Sequence, residues 1–405
     1  MKRVVITGLG CICPIGNNTN EMWNGILNNK SGIDYIKGIN SEETQVKIVA
    51  EIKNMNLKEH LTDREIHFNS KYINYSKIAS KEAFIDSGLK EDEIDHDKFG
   101  VFISSNIGGC EKIEESYEEG RISSHYIPSV LTNSASSMVA IDLKANGSNM
   151  SISSACASGN NTIGEAYLKI KYGLQDIMIA GASEFAINKK ILEGFSIMRA
   201  IYTGNDKNKA SIPFDKDRQG FVIGEGTGIL VLEELDHALK RNAKIYAEII
   251  GYGSNCDAYH ITCPEKNGTF ATKAIEIALK DANIDTNEID YINAHGTGTI
   301  TNDIVETEVI KKAFKDNYKK IYVSSTKSMT GHMMSASGAI EAIICAKALQ
   351  EGYIPATVNI NNVDERCNLN LVLNKGIRKK IKYVLSNSFG FGGDNACLIF
   401  KKWDN

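Results

Sequence analysis

Cys156 sits in Ser153-Ser154-Ala155-Cys156-Ala157-Ser158-Gly159-Asn160. Before it, Met150-Ser151-Ile152 alternates like a strand; after it, Ile163, Ala166, Tyr167 and Ile170 recur with helical period. The sulfur therefore falls where a strand gives way to a helix. A helix N-terminus offers unpaired N–H groups and roughly half a positive charge, which favours thiolate and lowers the thiol pKa. The same N–H groups can hold the oxyanion formed when a thioester is attacked. Buried cysteine is also an ordinary packing residue, so the motif alone fits either role. Two histidines could complete a site. His295 lies in Tyr291-Ile292-Asn293-Ala294-His295-Gly296-Thr297-Gly298-Thr299, and His332 ends Val323-Ser324-Ser325-Thr326-Lys327-Ser328-Met329-Thr330-Gly331-His332. Each follows a strand-like run and is flanked by glycine, a placement that presents a side chain into a cleft. Histidines 60, 67, 96, 125 and 237 lie in unremarkable contexts and receive no role.

Apolar strand-like runs alternate with helical periods over 73–86, 270–281, 303–314 and 338–350, the pattern of α/β layers with buried sheets. Three runs end in serine pairs, at Ser104-Ser105, Ser153-Ser154 and Ser324-Ser325, which fits two lobes built on one plan. The charged segment Glu233–Arg241 marks the division, giving halves 1–243 and 244–405. Thr7-Gly8-Leu9-Gly10 lacks the third glycine of a dinucleotide fingerprint, and Pro14 stands where its helix would open, so a tight turn is expected there.

The chain has 405 residues, 42% of them hydrophobic, enough for a large core. A net charge of −4 provides no basic field for nucleic acid. Nine scattered cysteines form no zinc framework and indicate a reducing compartment. The N-terminal apolar run is too short for a signal peptide, and none approaches the ~18 residues of a membrane span. A soluble cytoplasmic protein without a metal is expected.

The segments at Cys156, His295 and Lys327–His332, with Asn387-Ser388-Phe389-Gly390-Phe391-Gly392-Gly393-Asp394-Asn395, together resemble the elongating β-ketoacyl-acyl-carrier-protein synthases of the thiolase superfamily. The resemblance runs nearly end to end. It implies a thiolase fold, two similar α/β halves in five α-β-α-β-α layers, normally a homodimer. It also implies a decarboxylating Claisen condensation: Cys156 takes an acyl group from acyl-ACP, and the enolate of malonyl-ACP attacks it. No cofactor is required beyond the phosphopantetheine carried by the substrate ACP.

Carried over residue by residue, the resemblance makes Cys156, His295, His332 and Lys327 catalytic, supported by Glu341 and Phe389. The N–H groups of Cys156 and Phe391 form the oxyanion site, and Phe391 with Gly390 and Gly392 forms a gate. Thr297, Thr299 and Thr262 meet the phosphopantetheine arm; Ile107 and Phe195 line the acyl tunnel. Arg121, Arg199, Arg64 and Lys71 form a basic rim for the carrier protein. The chain departs from the family at Asp394, a carboxylate where threonine is common, and at Ile66-His67-Phe68-Asn69, a stretch usually basic. The histidine at 332 argues against a thiolase or an initiating synthase, and the intact cysteine argues against a non-catalytic heterodimer partner that sets chain length. The alternatives are a ketosynthase of a specialised type II polyketide or polyene pathway, or a heterodimeric partner that sets chain length, and a heterodimer with a related ketosynthase is the alternative to the homodimer.

Overall fold

Long buried apolar runs make the strands. β1 (Val4–Ile12) is buried along its whole length, as are β2 (Phe99–Ser104), β4 (Ile177–Glu184) and β5 (Gly226–Glu234), while β3 (Asn149–Met150) is short and exposed. The second set is β6 (Ala247–Cys256), β7 (Tyr291–Asn293), β8 (Tyr322–Ser324), β9 (Tyr383–Phe389) and β10 (Asp394–Lys402). The computed structural model describes residues 1–404. Its strands run in the order β8-β7-β9-β10-β6-β1-β5-β4-β2-β3. Each set of five follows the same plan, third-second-fourth-fifth-first, with the three outer strands parallel and the others antiparallel. The first strands, β1 and β6, pair through Val4–Ile6 and join the two sheets.

Parallel neighbours need crossover helices, and these create the layers. α1 (Lys71–Ser87) and α2 (Ser134–Leu143) cover the outer face of one sheet; α4 (Thr269–Ala282) and α5 (Ile300–Phe314) cover the outer side of the other. Between the sheets lie α3 (Ser158–Lys171) and α6 (Ser335–Glu351), which touch each other and strands of both sets. α6 is buried on every side from Ser335 to Ala346, which a helix tolerates only when sandwiched. The result is the five-layered thiolase fold. Among the described residues, no helix is long and apolar enough to cross a membrane.

Two local expectations are corrected. Gly8 and Gly10 lie inside β1 rather than in a turn. Their role is close packing: a Cβ on Gly8 would stand 2.1 Å from the Ala83 carbonyl, and one on Gly10 2.0 Å from that of Ala79, so α1 can press onto the strand. The strand before Cys156 ends at Met150, and residues 151–154 are irregular. Of the serine pairs, Ser153-Ser154 and Ser324-Ser325 follow third strands of their sets, while Ser104-Ser105 follows a second strand. Cys156 and Lys327 thus occupy corresponding positions, each two residues beyond its pair.

Candidate active site

The loops after β3, β7, β8 and β9 converge, and each delivers one expected segment. Cys156 occupies a single 3₁₀ turn, Ala155–Ala157, that runs directly into α3. Ala155 is held at φ +48°, an unusual conformation for a side-chain-bearing residue and the kind of backbone found where a reactive group is aimed. Opposite it, Gly390 fits because it has no side chain: a Cβ there would lie 2.6 Å from the Ser154 carbonyl and 3.2 Å from the Cys156 nitrogen. This approach lets the N–H groups of Phe391 and Cys156 both act on the Cys156 sulfur and draw its pKa down, as does Lys327.

They do not prevail. Burial pushes the Cys156 thiol up to about 12, aided by the nearby Glu184 carboxyl. The sequence-based expectation of a lowered thiol pKa is therefore corrected: the sulfur rests as a thiol, because desolvation outweighs the helix terminus and Lys327.

His332 Nε2 lies 3.1 Å from Cys156 Sγ, and its Nδ1 lies 3.0 Å from Ser337 Oγ. His295 packs edge-on against His332 with ring centroids 5.4 Å apart, and Phe389 flanks it at 5.8 Å. Its loop is fixed from below by Glu306 on α5, whose carboxylate accepts the His295 N–H at 2.8 Å and the Gly296 N–H at 2.7 Å. Burial first, then the Lys327 charge, holds both imidazoles well below their ordinary pKa, and His332 adds to this effect on His295. Both rings are therefore neutral at pH 7. Lys327 Nζ meets Glu341 Oε1 at 2.5 Å with both side chains buried, so this is an interior pair rather than a solvated one. Burial raises the Glu341 carboxyl to about 7, against the pull of Lys327.

Cys156, His295 and His332 open onto one cavity of about 810 Å³. Phe389, Gly390, Phe391, Thr297, Thr299, Thr262, Ile107, Phe195 and Arg199 also line it. Lys327, Glu341 and Gly392 do not line the cavity; Gly392, at φ +87°, sits in the gate turn. Its N–H donates to the Ile261 carbonyl at 2.7 Å, which ties the gate to the Thr262 loop. Asp394 begins β10 beside the gate; burial raises its carboxyl, and its carbonyl accepts the Gly390 N–H at 2.7 Å. Of the four rim cations, Arg199 alone reaches the cavity. Arg64 lies on an exposed helix, Arg121 pairs with Glu119 at 2.8 Å, and Lys71 lines a separate cavity of about 400 Å³. At the altered stretch, Phe68 stacks on His125 with ring centroids 4.1 Å apart.

Three supporting residues escape a reading by motif. Glu184, at the end of β4, is fully buried and accepts from Ser105 Oγ, the Asn106 N–H and Ser335 Oγ, joining the Cys156 side to the start of α6. A carboxylate closing an apolar strand was the signal available for it. Glu306 and Ser337 sit on helices among similar residues and had no such signal. No group of three or more His, Cys, Asp or Glu among the described residues is arranged to hold a metal ion.

A cysteine in the turn that opens a helix, two neutral imidazoles and a buried lysine, set on loops beyond the strands of a five-layered fold, define a cysteine-dependent condensing enzyme of the thiolase superfamily. Residues 1–238 match the model for the β-ketoacyl synthase N-terminal domain, and residues 246–361 match that for its C-terminal domain. The chain is 41% identical over 409 residues to 3-oxoacyl-[acyl-carrier-protein] synthase 2 of Staphylococcus aureus (strain COL), covering 100% of this chain and 99% of that protein. Two solved structures are similar over 100% of both chains. One is a type II PKS acyl-carrier protein in complex with its ketosynthase bound to the hexaketide (TM-score 0.92, 34% identity). The other is the ishigamide ketosynthase/chain length factor (TM-score 0.93, 32% identity). The chain belongs to the β-ketoacyl synthase family.

Proposed function

We propose that the chain is a β-ketoacyl-ACP synthase that elongates hydrocarbon acyl chains, as in fatty-acid synthesis. The observation that carries this reading is the 3.1 Å approach of His332 Nε2 to Cys156 Sγ at the floor of a cavity that also holds His295. In the first stage Cys156 Sγ attacks the acyl thioester carbonyl of acyl-ACP. The N–H groups of Cys156 and Phe391 hold the oxyanion, the carbonyl–sulfur bond to phosphopantetheine breaks, and the proton lost by the cysteine ends on that departing sulfur. In the second stage malonyl-ACP loses carbon dioxide, and imidazole N–H groups of His295 and His332 stabilise its enolate. The enolate carbon then attacks the acyl-cysteine. The new carbon–carbon bond forms, the bond to Cys156 breaks, and the released sulfur takes up a proton from solvent. Burial, with the charge of Lys327 beside Glu341 adding to it, keeps both imidazoles neutral, so each acts as a donor and not as an acid.

The chain type follows from what surrounds the sulfur. Cys156 packs in one apolar cluster with Val49, Leu192, Phe221, Ile223 and Met334, flanked by Ile107 and Phe195. Hydrocarbon is at home there. A chain with a carbonyl on every second carbon would bury acceptors without donors, at a cost of about 1–3 kcal/mol each.

We read the chain as two functional halves, 1–243 bringing the cysteine and 244–405 the histidines and gate. The repeated strand order supports this division. A homodimer is supported by apolar groups exposed around Cys110–Glu119 and β3, among them Ile113, Tyr117, Ile122 and Met150. The nine unpaired cysteines favour the cytoplasm.

The test is intact-mass spectrometry after incubation with acyl-ACP. A mass gain equal to the acyl group, absent in Cys156→Ala, is expected. No gain, or a gain that survives the substitution, sinks the reading.

A further inference from the structure

Asn106 lines the catalytic cavity, yet neither stage of the condensation calls on its side chain. It lies just beyond the end of β2, and its own N–H donates to Glu184 Oε2 at 3.0 Å. Both polar atoms of its amide engage the nucleophile turn and the residues flanking it. Nδ2 donates to the Ala155 carbonyl at 2.9 Å, while Oδ1 accepts from Ser158 Oγ at 2.8 Å and from Ser153 Oγ at 3.1 Å. A carbonyl can only accept and a serine hydroxyl can donate, so these partners fix which end of the amide faces which.

The Ala155 carbonyl belongs to the same peptide unit as the Cys156 N–H. A trans peptide is planar, with its C=O and N–H pointing in opposite directions, so a bond that fixes one fixes the other. Ala155 is at φ +48°, a conformation that a residue with a side chain holds only when its surroundings impose it. Two of the carbonyl's donors, the N–H and Oγ of Ser158, come from the start of α3 itself; Asn106 supplies one from a separate loop. A donor on the carbonyl also polarises the peptide unit and strengthens its N–H as a donor.

We propose that Asn106 is a positioning residue for acyl transfer: its amide holds the Ala155 carbonyl and, through that peptide, aims the Cys156 N–H at the oxyanion. The proposal rests on the acyl-transfer step of the preceding reading. Its effect is confined to steps that develop an oxyanion beside Cys156, because the enolate formed on decarboxylation is assigned to the imidazoles of His295 and His332.

The experiment follows acylation by acyl-ACP and decarboxylation of malonyl-ACP in single turnovers of wild type, Asn106→Ala and Asn106→Asp. The aspartate keeps the shape and the acceptor offered to both serines and removes the donor. Dividing each acylation rate by the rate of Cys156 alkylation with iodoacetamide removes any change in thiol reactivity. The corrected acylation rate is expected to fall at least about tenfold in both variants, while decarboxylation falls less than about threefold. In acyl-enzyme with an isotope-labelled thioester carbonyl, the infrared stretch is expected to move to higher wavenumber as its hydrogen bond weakens. A smaller fall in acylation, an equal loss in both stages or an unmoved carbonyl band overturns the proposal. So does loss of both activities in both variants, since Asn106 would then serve the fold. A wild-type protein that takes up no acyl group overturns the underlying reading, and that outcome is visible before any variant is made.

Discussion

Ser337 Oγ lies 3.0 Å from His332 Nδ1 and accepts the Met333 N–H at 2.8 Å. With that N–H already satisfying one lone pair, the hydroxyl has its proton free to donate to Nδ1. The neutral imidazole then carries its own proton on Nε2, facing the Cys156 sulfur. One serine thus turns the Nε2 proton of His332 toward Cys156, where the proposed condensation calls for a donor.

Ser337→Ala should therefore slow decarboxylation of malonyl-ACP, with carbon dioxide release falling about tenfold, the equivalent of about 1.4 kcal/mol. Transfer of the acyl group to Cys156 should change less, because the backbone donors of the oxyanion site remain. Equal losses in single-turnover measurements of the two stages would refute this assignment.

A thiol at about 12 has a reactivity signature. Below that value the thiolate fraction rises about tenfold per pH unit, so alkylation of Cys156 by iodoacetamide should climb across pH 7–10 without a plateau. In Lys327→Met the rate at any one pH should drop, since the lysine charge draws the thiol down. The same substitution should raise the pKa of His295 and His332, which Lys327 depresses, and imidazole NMR titration checks that sign.

Glu306→Gln replaces an oxygen that accepts the Gly296 N–H with an amide nitrogen that cannot. A loss of about 1–3 kcal/mol in stability is expected, with a lower kcat as the His295 loop shifts. The pH dependence should change too. Burial holds Glu306 at about 7 in the folded protein against 4.5 as its ordinary value. The folded state therefore keeps a proton that the unfolded chain has released, and this group's contribution falls as pH rises from about 4.5 to 7. Thermal melts across that range should show a shallower decline in the variant.

Gly390→Ala should displace the gate from the nucleophile turn, because its Cβ would meet the Ser154 carbonyl at 2.6 Å. Moving the Phe391 N–H out of reach should cut acylation by about 10²–10³, the effect of losing one oxyanion donor. A burst of acyl-enzyme at the wild-type rate would contradict it.

His237 gives a stability test away from the site. Its Nδ1 lies 2.5 Å from Glu233 Oε1, and that bond raises its pKa above 6.5 despite partial burial. Its contribution is complete below the unfolded value and is lost as pH rises through the folded one. His237→Gln should melt lower than wild type at pH 6 and differ less at pH 9.

Cys156, His295 and His332 stood out in the sequence because each follows an apolar run among small residues, and the resemblance to the family joined them into one site. The α/β layering was legible from the alternation of strand-like runs with helical periods, and the five-layered arrangement came with the family resemblance. The sign of the Cys156 shift was not. Helix geometry is written in the residues beside the cysteine, but desolvation depends on Phe221, Ile223 and Met334, which arrive from far along the chain. Gly8 and Gly10 misled for the same reason, since α1 supplies the surface they accommodate. Ser337 and Glu306 act through single hydrogen bonds, and a sequence contains no mark of which serine or glutamate makes one.

Three polar side chains of α6 each reach a different part of the catalytic apparatus: Ser335 to Glu184, Ser337 to His332 and Glu341 to Lys327. Because both sheets clamp this helix, it can shift only if the molecule opens as a whole. Loss of activity on heating should then coincide with global unfolding, with no milder temperature range in which the protein stays folded but its chemistry has come apart.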